Sequence, residues 1–172
     1  MQVRSILRKK PVLVYPIPPA PATAILVAGF RAHGNTRVFD DGFSLEVLNF
    51  APAAIAATPA QLEALRGTPI PSLRNAIIAL VRPGEPGLTE DAREQLWRAF
   101  RVPVFEQRID QSCRLLAAEC EAHDGLHIEV AGTGPLAGEV IETAICGCGR
   151  AGARLMAPER VENLRKVAAY AR

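Results

Sequence analysis

Hydrophobic and polar positions alternate along this chain in blocks, and each block has its own period. Residues 12–17, "VLVYPI", form a short β-rich run that prolines end. The next run, "PATAILVAGFRAHG", reads as a helix, with Pro21 at its start and Gly34 as its stop. "TRVFD" predicts a short strand and "FSLEVLNF" a helix of one to two turns. "AAIAA", residues 53–57, and "NAIIALV", residues 75–81, are continuously apolar, the pattern of strands buried on both faces. Between them lies the best-marked helix start in the sequence. Thr58 is an N-cap, Pro59 takes the first helical position, and Gln61 completes a capping box. Gly67 ends that helix. "TEDAREQLWRAF" has an acidic first turn, and Leu88, Ala92, Leu96 and Phe100 define one apolar face. "VPVFE", residues 102–106, is again a strand.

Strands alternating with helices predict βαβ units and a largely parallel sheet with flanking helices, an α/β fold. The texture changes after residue 110. "CRLLAAECE" and "LHIEV" flank "AHDG", a hairpin signal, and "GPLAGEVIETAICGCGR" adds strand and turn chemistry. "PERVENLRKVAAYAR" closes the chain as a helix opened by Pro158. The expected organisation is an α/β layer over residues 1–110, a small β-rich lobe over 111–157 and a C-terminal helix over 158–172, packed as one domain.

Composition narrows the class. The 172 residues are 49% hydrophobic and 22% charged, enough for a core and a solvated surface. Aromatics are only 5%, so small side chains must fill thin, closely packed layers. A net charge of +2, with no basic stripe, argues against a nucleic-acid partner. The basic start "MQVRSILRKK" precedes an apolar run, but Pro11, Pro16, Pro18, Pro19 and Pro21 interrupt it. No apolar stretch is long enough to span a bilayer, so a cytoplasmic location is expected. Reduced thiols there favour metal binding over disulfides.

The cysteines are segregated. Cys113, Cys120, His123, His127, Cys146 and Cys148 lie between positions 113 and 148, and His33 is the one further Cys or His. A four-residue loop from Ala122 to Gly125 would set Cys120 opposite His127, with Cβ atoms about 4.5–5.5 Å apart. A two-residue Asp124-Gly125 turn would instead place them on opposite faces. Gly147 lets Cys146 and Cys148 aim at one point. Cys120, His127, Cys146 and Cys148 then match the four sulfur and nitrogen donors of a tetrahedral zinc. Cys113 is a fifth candidate, seven residues before Cys120, and strict alternation places it on the other face. Other readings stand beside the metal: buried cysteines acting as small hydrophobes, a redox pair, or a Cys120–His127 dyad. His123 reads as an exposed turn residue and His33 as structural. Glu106 and Glu119 read as solvent-facing strand positions near the cluster.

Three segments together, "AAIAATPAQLEALR", "SLRNAIIALVRPGEPGLTEDAREQLWRAFRVPVFEQ" and "AAECEAHDGLHIE", resemble the central part of AMP-forming acyl-CoA synthetases. The resemblance is greatest to the phenylacetate–CoA ligase branch and covers roughly residues 36–156. Pro83-Gly84-Glu85 stands at that family's Gly-Gly-Glu turn. Glu119-Cys120 with Gly125-Leu126-His127 matches its Glu-Cys…Gly-Leu-His hairpin. Cys146, Cys148, Gly149 and Arg150 match its Cys-x-Cys-Gly-Arg segment. The resemblance implies one structural zinc per chain, held by Cys120, His127, Cys146 and Cys148.

The departures bear on function. The chain has no Ser/Thr/Gly-rich loop to cradle ATP phosphates. "RIDQSCR" stands where the Tyr-Gly-x-Thr-Glu adenylate motif belongs, and no Thr-Gly-Asp lies between Glu139 and Cys146. The lobe with the catalytic lysine is missing, and nothing promotes Lys166. The expectation is a truncated relative acting as a non-catalytic, zinc-binding partner module, paired with a second copy or a companion protein. The alternatives are an enzyme subunit for acyl adenylate or CoA chemistry, which would take a small acyl or aromatic ligand, and a small zinc hydrolase. A hydrolase would leave His127 off the metal and use Glu119 or Glu121 as base.

Overall fold

The computed structural model describes residues 9–136 and 138–157. The helix expected over 158–172, with Lys166, lies outside them. Nine described strands form one sheet in the order β2-β1-β3-β4-β5-β6-β7-β9-β8. β1 (Thr23–Ile25), β2 (Thr36–Val38), β3 (Ala54–Ala57), β4 (Ala76–Val81) and β5 (Val104–Ile109) are parallel. β6 (Leu115–Glu119), β7 (Leu126–Ile128), β8 (Val140–Glu142) and β9 (Arg154–Met156) extend that sheet in antiparallel fashion. The fold is α/β with a mixed sheet.

The run from Pro21 to Gly34 is not a helix. β1 occupies its middle, between β2 and β3, and Ala24, Ile25, Leu26 and Val27 are all buried. A strand covered on both faces is apolar throughout, and periodicity cannot separate it from a buried helix. Residues 12–17 join no strand of the sheet, and the chain bends at Pro16–Pro19. They strap one face of the sheet, where the Gln107 side chain donates to the Val14 carbonyl at 2.6 Å.

The three described helices are α1 (Leu45–Phe50), α2 (Pro59–Ala64) and α3 (Glu90–Phe100). All contribute to one core: Val47, Leu62 and Leu96 pack with Ala24, Leu26, Ile55, Ala57, Ile77 and Ala79. The intervening strand residues Ile25, Val27, Ala56, Ile78 and Leu80 face the other way, against Leu13 and Tyr15 of the strap. Among the described residues the helices therefore flank one face only. The capping box is formed: Gln61 N–H donates to Thr58 Oγ1 at 3.3 Å, and Thr58 N–H donates to Gln61 Oε1 at 2.9 Å.

The hairpin adopts neither expected register. Ala118 pairs with His127 and Glu119 with Leu126, so the loop runs from Cys120 to Gly125. Its first turn closes through His123 N–H to the Cys120 carbonyl at 3.0 Å. His123 takes a left-handed φ of 49° and stacks on Phe105, ring centroids 4.5 Å apart. It is half-buried rather than an exposed turn residue. His33 lies exposed in the turn between β1 and β2, not at a helix end.

Candidate metal centre

Strand pairing builds the site. His127 sits directly opposite Ala118, and Cys120 is two residues beyond Ala118, so Cys120 and His127 share a face as diagonal neighbours. β9 lies between β7 and β8, which draws the loop preceding β9 alongside His127. That loop closes on itself. Gly149 N–H donates to the Cys146 carbonyl at 2.8 Å, and Cys146 N–H donates to the Arg150 carbonyl at 3.2 Å. Gly149 has a φ of 83°, the left-handed conformation glycine adopts without a Cβ clash.

Cys120, His127, Cys146 and Cys148 come together, one ligand atom from each lying within 4.8 Å of all the others. Cys120 Sγ is 3.6 Å from Cys146 Sγ, and Cys148 Sγ is 3.5 Å from His127 Nε2. Bonds of about 2.3 Å to sulfur and 2.0–2.1 Å to nitrogen, at tetrahedral angles, require separations of roughly 3.8 and 3.6 Å. Those two separations match a tetrahedral ion, and the other donor pairs lie within 4.8 Å. All four cysteines are free thiols. Cys113 is elsewhere: it is buried among Leu13, Ile25, Val27 and Leu80, with its Sγ 3.3 Å from the Ala28 carbonyl.

The electrostatics suit a metal. Burial pushes the Cys120 thiol up to about 12, helped by the Cys148 and Cys146 sulfurs and opposed by the Ala122 N–H. Burial also raises Cys146, but hydrogen bonds from the Cys148 N–H and from the Cys148 and Cys120 sulfurs, with Arg154 nearby, bring it below the usual thiol range. Burial lowers His127, as do Arg150 and Arg154, so the imidazole is held neutral. A divalent cation binds a neutral imidazole directly and displaces the protons of the thiols.

Glu106 and Glu119 are not solvent-facing. Both are buried, on the face opposite the cysteines. Glu119 accepts from both terminal nitrogens of Arg93 at 2.9 Å and from Glu106 N–H at 2.7 Å. Glu106 accepts from Leu88 N–H at 2.8 Å and pairs with Arg108 Nε at 3.3 Å. Arg108 continues to Glu139. Alternating charges in "FEQRI" were the available signal, since Glu106 and Arg108 are two apart in a strand and share a face. Arg154, also unflagged by sequence, is buried directly opposite His127.

Open α/β sheets bind ligands where strand order reverses, outside the carboxyl ends. Here that point lies between β1 and β3. Gln61 bridges it, with Nε2 donating to the Leu26 carbonyl at 2.7 Å. Among the described residues no helix is long and apolar enough to cross a membrane.

The sheet has the fold of part of an acyl-CoA ligase. Solved structures that carry it include two of 2-hydroxyisobutyryl-CoA ligase, one in an open conformation with 2-HIB-AMP and CoA, one in the postadenylation state with R3-HIB-AMP. Each aligns at a TM-score of 0.54 and 16% identity, over 80% of this chain. The chain spans less than half of those ligases, 44% and 43% of their lengths. No family profile and no curated protein matches the sequence.

Proposed function

We propose that this chain is a non-catalytic, zinc-binding module with a ligase-like fold, related to the phenylacetate–CoA ligase branch, that acts by binding a partner chain. The observation that carries the reading is the closed donor set. Three sulfurs and one imidazole gathered within 4.8 Å of one another can use every position of a four-coordinate ion. A catalytic zinc keeps one position open for water or substrate. Thiolate with imidazole in tetrahedral array favours zinc among common divalent ions. The metal would tie the Cys120 loop, β7 and the Cys146–Cys148 loop, adding to the small core at this end of the sheet. Among the described residues that core comprises Ala117, Leu126, Leu155 and, partly buried, Ile128.

Exposed Leu136, Val140, Ile141 and Ile145 gather at and beside the edge strand β8. Such a surface suits a second copy or a companion protein.

Elemental analysis of the purified protein tests the metal reading. The expected result is about one zinc per chain, lost in Cys148→Ser together with thermal stability. Protein without zinc, and a Cys148→Ser variant as stable as the parent, would refute it.

A further inference from the structure

The zinc centre, if formed as proposed above, carries a charge that the protein must balance. Three thiolates, a neutral imidazole and a divalent cation sum to −1. The site is largely buried, and an uncompensated buried charge is strongly unfavourable. Two arginines are near. Arg150 donates its backbone N–H to Cys148 Sγ at 3.5 Å, but its guanidinium is half-exposed and paired with Glu129 at 2.8 Å.

Arg154 is different. It is 2% exposed, on the strand next to the edge of the sheet, directly opposite His127 in the β7–β9 pair and therefore on the cysteine face. Nη1 is anchored by the carbonyl and carboxylate of Asp124, and Nη2 by the Ala144 carbonyl at 3.2 Å. Nε is buried with no hydrogen-bond partner. The guanidinium also interacts with the Cys146 sulfur. Asp124 is 38% exposed at its side chain, so water screens its charge more than that of Arg154. Glu142, opposite Arg154 on the edge strand, turns its carboxylate to the Thr143 and Ala144 N–H groups instead. A buried cation with one unpaired nitrogen beside the Cys146 sulfur has a role once that sulfur binds a metal as a thiolate.

We propose that Arg154 is a positioning residue of the metal centre, whose buried guanidinium supplies the countercharge for a Cys₃His-bound divalent ion. The inference rests on the zinc reading but makes a separate claim. An alternative role, a purely structural tie from Arg154 to Asp124, predicts a different pattern.

The test is zinc affinity by chelator competition on the full chain, for the parent, Arg154→Gln, Arg154→Lys and Asp124→Asn. Loss of the countercharge should weaken zinc binding roughly 10- to 100-fold in Arg154→Gln. Arg154→Lys should recover most of that loss. Asp124→Asn removes the salt bridge but keeps the cation, so it should bind zinc as tightly as the parent or tighter. With cobalt in place of zinc, the sulfur-to-metal charge-transfer band should move to longer wavelength in Arg154→Gln and stay in place in Asp124→Asn. Where Arg154→Gln does not fold, Arg154→Lys against Asp124→Asn decides the matter. Parent-like affinity in Arg154→Gln overturns the proposal, as does an Asp124→Asn defect matching or exceeding that of the arginine variants. In either case zinc in the parent leaves the metal reading standing. A parent without zinc overturns both.

Discussion

Glu119 and Cys120 are neighbours in the chain, yet they serve opposite faces of the sheet. The carboxylate of Glu119 locks onto Arg93 of α3, while Cys120 joins His127 and the Cys-Gly-Cys loop on the far side. The end of one hairpin arm thus connects the helical layer to the candidate metal site.

The two buried carboxylates should respond to mutation in opposite ways. Burial raises Glu119, but the His123 hydrogen bond, Arg93 and the Glu106 N–H outweigh it and hold its carboxyl below the usual range of 4.5. Its stabilisation is therefore present above pH 4.5 and lost as pH falls through the depressed value. Glu119→Gln strands Arg93 and should cost about 3–5 kcal/mol near neutral pH, the gap to the parent narrowing in acid.

Burial raises Glu106 above 4.5, more than the Leu88 N–H and Arg108 lower it. The folded chain then holds that proton more tightly, and stability falls as pH rises from 4.5 through the raised value. Glu106→Gln should leave stability near neutral pH unchanged or raise it by about 1 kcal/mol, because Arg108 keeps Glu139. Urea denaturation of both variants across pH checks these signs, and equal losses would contradict them.

Gly125 should tolerate no side chain. Its φ is 81°, and an added Cβ would lie 2.6 Å from Met156 Sδ and 2.7 Å from the Leu155 carbonyl. Gly125→Ala must push β9 from β7 and carry the Cys146–Cys148 loop with it. We expect a loss of about 3 kcal/mol or more, from backbone strain and overpacking together. Zinc content should fall with it, measured on the same preparation.

Cysteine identity separates the metal centre from the core. Cys113 lies among apolar side chains, away from the four donors, so Cys113→Ala should keep full metal content. It should still lose about 1 kcal/mol from packing and the Ala28 contact. Loss of metal in this variant would place Cys113 in the ligand set.

Thr58→Ala should cost about 1 kcal/mol through the lost N-cap. The effect reaches past α2, because Gln61 uses the same box to present its amide to Leu26 at the β1–β3 crevice. Thermal melts give the cost, and amide exchange at Gln61, whose N–H loses its acceptor, should rise in the variant.

Local chemistry was legible residue by residue. The α2 cap needs only Thr58, Pro59 and Gln61, all within one turn, and the structure forms it as read. The α3 face of Leu88, Leu96 and Phe100 packs on the helical side of the core for the same reason. β3 and β4 announce themselves by short apolar runs bounded by turns. β1 did not, because "AILV" lies inside a longer run whose Pro21 and Gly34 imitate a helix start and stop, and an aperiodic apolar segment cannot arbitrate.

What tertiary structure decided depends on contacts between distant residues. The hairpin register follows from a turn whose His123 ring stacks on Phe105, a contact no local rule anticipates. Four Cys and His donors in one stretch pointed to a shared site, but their convergence depends on β9 entering between β7 and β8. The same insertion buries Arg154 opposite His127 and makes a surface-type residue part of the centre. Burial of Glu106 and Glu119 likewise required α3 to deliver Arg93 from another segment. Short-range preferences are set by a residue and its near neighbours, whereas burial, register and charge pairing are set by which strands the whole chain brings together.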